Sequence, residues 1–137
     1  MASYTFQVVA TGSSLMLENF VNKTAIDERK LKLYVNDATI TTATVVGDLT
    51  ECTTSGYAAY ALPGASWTVS WSTDKSIANF TVDNTITFAA GVTVYGAYIT
   101  NAAGTILIGA ADFGAGKTFA SGDELKFTDG NLTSEPV

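Results

Sequence analysis

The sequence of 137 residues contains no histidine, which removes a large group of catalytic and metal sites. Without an imidazole, the chain cannot form a serine–histidine–aspartate triad, a cysteine–histidine pair or a histidine-bound zinc site. Cys52 is the single cysteine, so no intrachain disulfide forms and packing must hold the fold. Its neighbour Glu51 does not supply the positive charge that activates a thiol nucleophile. We therefore expect no enzyme activity, no cofactor and no metal.

Charged residues are scarce as well, at 15% of the chain against about 25% in ordinary soluble domains. The 7 Lys and Arg residues against 13 Asp and Glu residues give a net charge of −6, which disfavours nucleic acid as a partner because its phosphates repel such a surface. So few charges favour a protein whose outside is partly covered by other subunits, although an ordinary threonine-rich β domain is the alternative.

Long hydrophobic runs are also missing. No apolar stretch approaches the roughly 20 residues that cross a bilayer, and the sequence does not start with a basic segment followed by an apolar one. We therefore expect neither a membrane partner nor a secretion signal.

Val, Ile, Tyr and Thr, the residues that fit a pleated sheet, are abundant in the sequence. They are most concentrated in residues 92–110. Two apolar runs flank Asn101-Ala102-Ala103-Gly104, and Asn and Gly supply the backbone angles of a reversal, so the stretch predicts a hairpin. Simple alternation places Val92, Val94 and Tyr98 on one face and Tyr95, Ala97 and Ile99 on the other. Both faces are therefore expected to be covered.

Similar short runs recur along the chain between Gly, Pro, Asn, Asp and Ser. The predicted strands are residues 30–35, 39–46, 58–62, 67–72, 78–82, 85–88, 93–100, 106–110 and 124–128. Their regular spacing, with no helical pattern between them, predicts an all-β fold, an antiparallel β-sandwich or jelly roll in a single domain.

The predicted domain has short extensions at both ends. Residues 1–12 form an N-terminal arm or strand, and residues 13–24 form one short helix, because Ser13 can cap it and Leu17, Phe20 and Val21 share a face. The β-sandwich domain spans residues 13–128, and residues 129–137 are a polar tail. The predicted core consists of Leu31, Leu33, Trp67, Val69, Trp71, Phe88, Val94 and Tyr98.

Two further patterns suggest sites and are better explained by structure. Gly114-Ala115-Gly116-Lys117-Thr118 ends like a phosphate-binding loop, but Ala111 stands where that loop needs its first glycine, so we interpret the run as a glycine-rich connection. Acidic residues in predicted loops could offer oxygen ligands to calcium, but their spacing matches no calcium loop, so we interpret them as solvated turn residues. These are Asp37, Asp48, Glu51, Asp123, Glu124 and Asp129.

Several short motifs follow one another in a fixed order. They are LKLYVND at residues 31–37, GYAAYAL at 56–62, Trp67-Thr68-Val69, VYGAYITNAAGTIL at 94–107 and GDELKFT at 122–128. In this order and spacing, residues 15–128 resemble a group of small virion proteins of tailed bacteriophages. Related sequences often continue the hairpin into Trp-Ala-Glu, whereas this chain has Ile-Gly-Ala-Ala-Asp at residues 108–112.

The resemblance implies a virion structural protein, most plausibly a capsid decoration or cement protein on the outer surface of the shell. The resemblance implies as partners the major capsid protein and further copies of the chain itself, in a homo-oligomer expected to be a trimer over local threefold points. Candidate contacts are the terminal segments, which can lie along a neighbour and complete its sheet. Their candidate interface residues are Tyr4, Phe6, Val8, Leu132 and Val137.

Two other functions fit the same residues. The first is a tail component or receptor-binding module that grips a host glycan through Trp67, Trp71 or Tyr60, if these rings are exposed. The second is a free-standing carbohydrate-binding or lipid-shielding β-sandwich, which would be a monomer with a groove lined by rings.

Overall fold

The computed structural model describes residues 5–11, 28–63, 67–72, 75–80, 82–127 and 130–134. These residues form ten strands and one 3-10 turn, η1, at Val46–Asp48. The strands are β1 (Thr5–Val8), β2 (Arg29–Tyr34), β3 (Tyr60–Leu62), β4 (Trp67–Ser72), β5 (Lys75–Phe80), β6 (Asn84–Thr87), β7 (Val92–Thr100), β8 (Leu107–Phe119), β9 (Glu124–Phe127) and β10 (Gly130–Ser134). The all-β class predicted from the sequence is confirmed.

Eight of the strands form one sheet in the order β3-β2-β7-β8-β1-β10-β5-β4, and β6 pairs with β9 in a second sheet. Neighbouring strands are antiparallel except for β1 and β10, which run parallel. The described strands do not establish a sandwich, because the second sheet has only two strands.

The predicted hairpin is present as β7 and β8. The Asn101 side-chain oxygen accepts hydrogen bonds from the backbone N–H groups of Thr105 and Ile106 at 2.9 and 3.0 Å, and the Gly104 N–H donates to the Asn101 carbonyl at 3.1 Å. Gly104 has a φ of 75°, a conformation that a residue without a Cβ adopts freely. The turn chemistry of Asn and Gly therefore sets the reversal where the sequence predicts it.

A large bulge interrupts this hairpin and changes which faces its residues occupy. Val94 pairs with Lys117 and Gly96 pairs with Asp112, so Tyr95 alone faces the four residues 113–116 of β8. Val94 packs in one core cluster, whereas Tyr95 and Tyr98 pack in another. The prediction that Val94 and Tyr98 share a face is therefore wrong, because the bulge shifts the alternation by one residue.

Both faces of the β2–β7–β8 part of the large sheet are covered. The first core cluster lies between this sheet and β6–β9, and it contains Phe6, Leu31, Leu33, Cys52, Leu62, Phe80, Val82, Ile86, Phe88, Val94, Ala97, Ile99, Ile108, Ala111 and Phe127. The second cluster lies on the opposite face and contains Val9, Tyr34, Leu49, Tyr98, Leu107 and Ala110. Ala38, Ile40 and Val46 pack against the second cluster, so the segment after β2 covers that face.

That covering segment includes residues 39–46, which the sequence predicts as a strand, and this prediction is wrong. Thr41 and Thr44 hydrogen-bond to each other's backbone: the Thr41 N–H donates to the Thr44 Oγ1 at 2.8 Å, and the Thr44 N–H donates to the Thr41 carbonyl at 3.1 Å. Local threonine bonds of this kind compete with sheet pairing. The predicted helix at residues 13–24 lies outside the described residues.

The two terminal strands occupy the middle of the large sheet. β1 pairs with β8 through Gln7↔Ala110 and Val8↔Gly109, and it pairs with β10 through Phe6↔Leu132 and the residues on either side. β10 in turn pairs with β5 along its whole length. Residues 130–134, predicted as part of a polar tail, are therefore a sheet strand. Their partners lie 126 residues away in β1 (Thr5↔Asn131) and 50 to 58 residues away in β5, and local sequence does not report such distant partners.

Candidate interaction surface

The candidate interface residues of the terminal segments lie in or beside these central strands. Phe6 is 2% exposed, and its ring meets that of Phe80 edge-on with 5.6 Å between centroids. Val8 is half-buried against the same cluster. Leu132 lies in β10 and pairs with Phe6 of β1, but its side chain is outside the described part of the structure. Tyr4 and Val137 are outside the described residues. Here β1 and β10 complete their own sheet, and contact with a neighbour stays a prediction.

The predicted core residues fall into two groups. Leu31, Leu33, Phe88, Val94 and Tyr98 are buried. Trp67, Val69 and Trp71 lie in β4, and their side chains are outside the described part of the structure. Tyr60, a candidate for glycan contact, is half-buried in β3 and packs against the first core cluster.

A polar network beside β2 joins Lys32, Glu51 and Tyr57. The Lys32 ammonium lies 3.3 Å from one oxygen of the Glu51 carboxylate, and the Tyr57 hydroxyl donates to the other at 3.0 Å. The same hydroxyl accepts the Leu33 N–H at 3.3 Å. Burial raises the pKa of Tyr57 well above 10, the Leu33 hydrogen bond lowers it, and the Glu51 charge raises it further. Both Glu51 carboxylate oxygens and the Tyr57 hydroxyl are engaged in these contacts. The network therefore ties residues 51–57 to β2 and offers no reactive group.

A second tyrosine on the opposite face has an unpartnered hydroxyl. Tyr34 is 0% exposed, and its buried hydroxyl has no hydrogen-bond partner among the described residues. The hydroxyl lies over Gly96, where a Cβ would come within 2.4 Å of it. Burial raises the pKa of Tyr34 well above 10, and the charges of Asp112 and then Asp37 raise it further. Burial first, and then the acidic neighbours, favours the neutral phenol, which suits a packing role.

The acidic residues considered as ligands are distributed among separate turns. Asp48 accepts the Val45 N–H at 3.0 Å and Asp123 accepts the Ala120 N–H at 2.8 Å, so each carboxylate closes its own turn. Glu51 belongs to the network described above. Across the described residues, Cys, Asp and Glu form no group of three arranged to hold a metal ion. Asp129 lies outside these residues.

The glycine-rich run at residues 114–118 is not a connection, because it lies within β8 and includes part of the bulge. Gly114 has a φ of 81°, and its N–H donates to the Asp112 carboxylate at 2.7 Å. A Cβ at Gly116 would meet the Thr93 methyl at 2.7 Å and the Tyr95 ring at 3.0 Å. The glycines therefore shape a bulge and pack closely against β7.

Few large apolar residues are exposed among those whose side chains the structure describes. Val45, at 44%, is the exposed large hydrophobic residue of this part of the chain. Association through these residues must therefore use strand edges, small side chains or hydroxyl groups in place of a large apolar patch.

The strand edges differ in how they are protected. β3 has three residues and is followed by Pro63, and the β6–β9 sheet carries Lys126, whose ammonium lies 3.4 Å from the Asp83 carboxylate. The far half of β8 has the bulge, with the Lys117 ammonium 5.3 Å from the centre of the Phe113 ring. Short length, proline, charge and bulges are the usual devices that prevent edge pairing.

Comparison with family models, with curated proteins and with solved structures found no match to this chain. Within the described residues, no helix is long and apolar enough to cross a membrane. The function is therefore inferred from the residues and their arrangement.

Proposed function

We propose that this chain is a structural protein of a bacteriophage virion, a capsid decoration or cement protein that binds the outer face of the major capsid shell as a homo-oligomer. The observation that carries the proposal is the order of motifs from residues 31–37 to residues 122–128. Three of these motifs contribute to neighbouring strands: residues 31–37 to β2, residues 56–62 to β3 and residues 94–107 to the β7–β8 hairpin. They form one half of the large sheet.

The physical character of the chain supports this role. A cement protein adds interface area between subunits and needs no reactive group. The net charge of −6 comes from few ionic residues; among them Asp48 and Asp123 close turns, and Lys32 and Glu51 pair with each other. Because both faces of the β2–β7–β8 part of the sheet are covered, contacts of this half with a shell would fall on loops and strand edges.

The test compares phage particles that contain this protein with particles that lack it. We expect particles without it to release their DNA at a lower temperature, and adding the purified protein back should restore the higher one. Equal release temperatures under heat and under osmotic stress would refute the cement role.

An image reconstruction of the same particles locates the chain. We expect density for it on the outer face of the shell, and density on the tail would overturn the proposal in favour of a tail or receptor-binding module. In that case, binding of purified protein to host-surface glycans would follow as the next measurement.

A further inference from the structure

Among the described strands that end a sheet, β4 is the longest, with six residues against three in β3 and four each in β6 and β9. It pairs with β5 along its whole length, from Trp67↔Phe80 to Ser72↔Lys75. Its other side has no strand partner among the described residues, because β4 ends the sheet. Its six residues, WTVSWS, include no charge, no proline and no glycine. An edge of this length and composition favours pairing with another strand.

The sequence of β4 also indicates which strand would pair with it. Trp-Thr-Val-Ser-Trp reads almost the same in both directions about Val69. If two copies of β4 pair antiparallel about this residue, Trp67 faces Trp71 of the second copy, Thr68 faces Ser70, and Val69 faces itself. Aromatic pairs and pairs of hydroxyl residues are among the favourable cross-strand combinations. With no charged residue in the strand, self-pairing brings no like charges together.

We propose that β4 joins two copies of this chain in a twofold dimer, through antiparallel β4–β4 pairing centred on Val69. The pairing continues the large sheet from one copy into the other and adds about four to six backbone hydrogen bonds between chains. A twofold contact uses the same surface on both copies, whereas a threefold ring uses two different ones. If the protein also forms trimers, the β4 contact therefore joins one trimer to the next. The proposal does not depend on the capsid role.

The first test uses charge at the centre of the strand. In a chain with Thr68→Lys and Ser70→Lys, each lysine faces a lysine of the second copy, which disfavours pairing. We expect light scattering after size-exclusion chromatography to give half the mass of the parent protein. The matched control, Thr53→Lys with Thr87→Lys, places the same charges on exposed positions outside β4 and should leave the mass unchanged.

A rescue experiment separates lost pairing from lost folding. Mixing the lysine variant with a chain that has Thr68→Glu and Ser70→Glu places opposite charges across the contact, and we expect the mass of the parent to return in a mixed species. A parent protein that is monomeric at every concentration would overturn the proposal. An oligomer whose mass is unaffected by the lysine pair, or a mixture that fails to recover it, would do the same.

The second test traps the twofold axis with a disulfide. Val69→Cys places one thiol of each copy directly opposite the other, within reach of a bond, whereas Thr68→Cys places them a diagonal step apart. Under mild oxidation we expect a covalent dimer from Val69→Cys and at least tenfold less from Thr68→Cys. The parent, whose Cys52 is buried, controls for background. Equal crosslinking by the two variants would show that the register is wrong.

Discussion

Phe6→Ala tests whether β1 belongs at the centre of the large sheet. The Phe6 side chain is 2% exposed and contacts the Phe80 ring, so its removal leaves a cavity in the first core cluster. Truncation of a buried phenylalanine costs about 3 to 5 kcal/mol of unfolding free energy. For a urea m-value of about 2 kcal/mol per M, the midpoint of unfolding falls by about 2 M.

The assay is equilibrium unfolding in urea, followed by tryptophan fluorescence for the parent and the variant. Val45→Ala is the control, because Val45 is exposed and its truncation should change the free energy of unfolding by no more than about 0.5 kcal/mol. A double-mutant cycle with Phe80→Ala should give a coupling of about 0.5 to 1.5 kcal/mol between the rings. A loss below about 1 kcal/mol in Phe6→Ala would show that β1 is not packed in the sheet.

Three further predictions concern close packing and buried phenols. Gly96→Ala should cost about 3 kcal/mol, because its Cβ would lie 2.3 Å from a backbone oxygen, whereas Gly47→Ala, with nothing within 4 Å, should stay within about 0.5 kcal/mol in the same urea assay. Tyr34→Phe should be neutral or stabilising because it removes an unpartnered hydroxyl, whereas Tyr57→Phe should cost about 1 to 2 kcal/mol because it removes two hydrogen bonds; thermal unfolding compares them. Burial raises the pKa of Tyr34, Tyr57 and Tyr98 above the usual 10.0, so the unfolded chain releases these protons first and stability falls as pH rises above 10. Phenolate absorbance of these three should appear only with unfolding, and its appearance in the folded protein would contradict their burial.

Local chemistry explains the elements that the sequence predicts well. The β7–β8 turn depends on Asn101 and Gly104, whose conformations and hydrogen bonds are set within six residues. β2 depends on alternating leucines and lysines, which specify a strand with one buried face. The predicted and observed bounds of β4 agree because polar residues with turn chemistry follow it.

The errors arise where a distant partner or a backbone irregularity decides the outcome. Alternation assumes a regular strand, so it cannot detect that Tyr95 faces four residues of β8. Residues 39–46 have strand-forming composition, yet Thr41 and Thr44 bond to each other and the segment covers a core cluster. β10 lacks a long apolar run, and its order comes from β1 and β5.

The candidate interaction surface was only partly accessible from sequence. The amino-acid sequence alone shows the scarcity of charged residues and the self-complementary order of WTVSWS at residues 67–72. That β4 ends the sheet is not visible, because strand order depends on pairings across the whole chain. The Lys32–Glu51–Tyr57 network was also missed, since its members are brought together only when residues 51–57 lie beside β2.

The parallel pairing of β1 with β10 has a consequence for synthesis in the cell. Phe6 pairs with Leu132, so β1 cannot pair with β10 until a residue 126 positions later has been made. At about 5 to 20 residues per second, a ribosome needs on the order of ten seconds to deliver both. During that interval β1 has no partner on the side that β10 later occupies, so a nascent or prematurely terminated chain is open to aggregation and to chaperones.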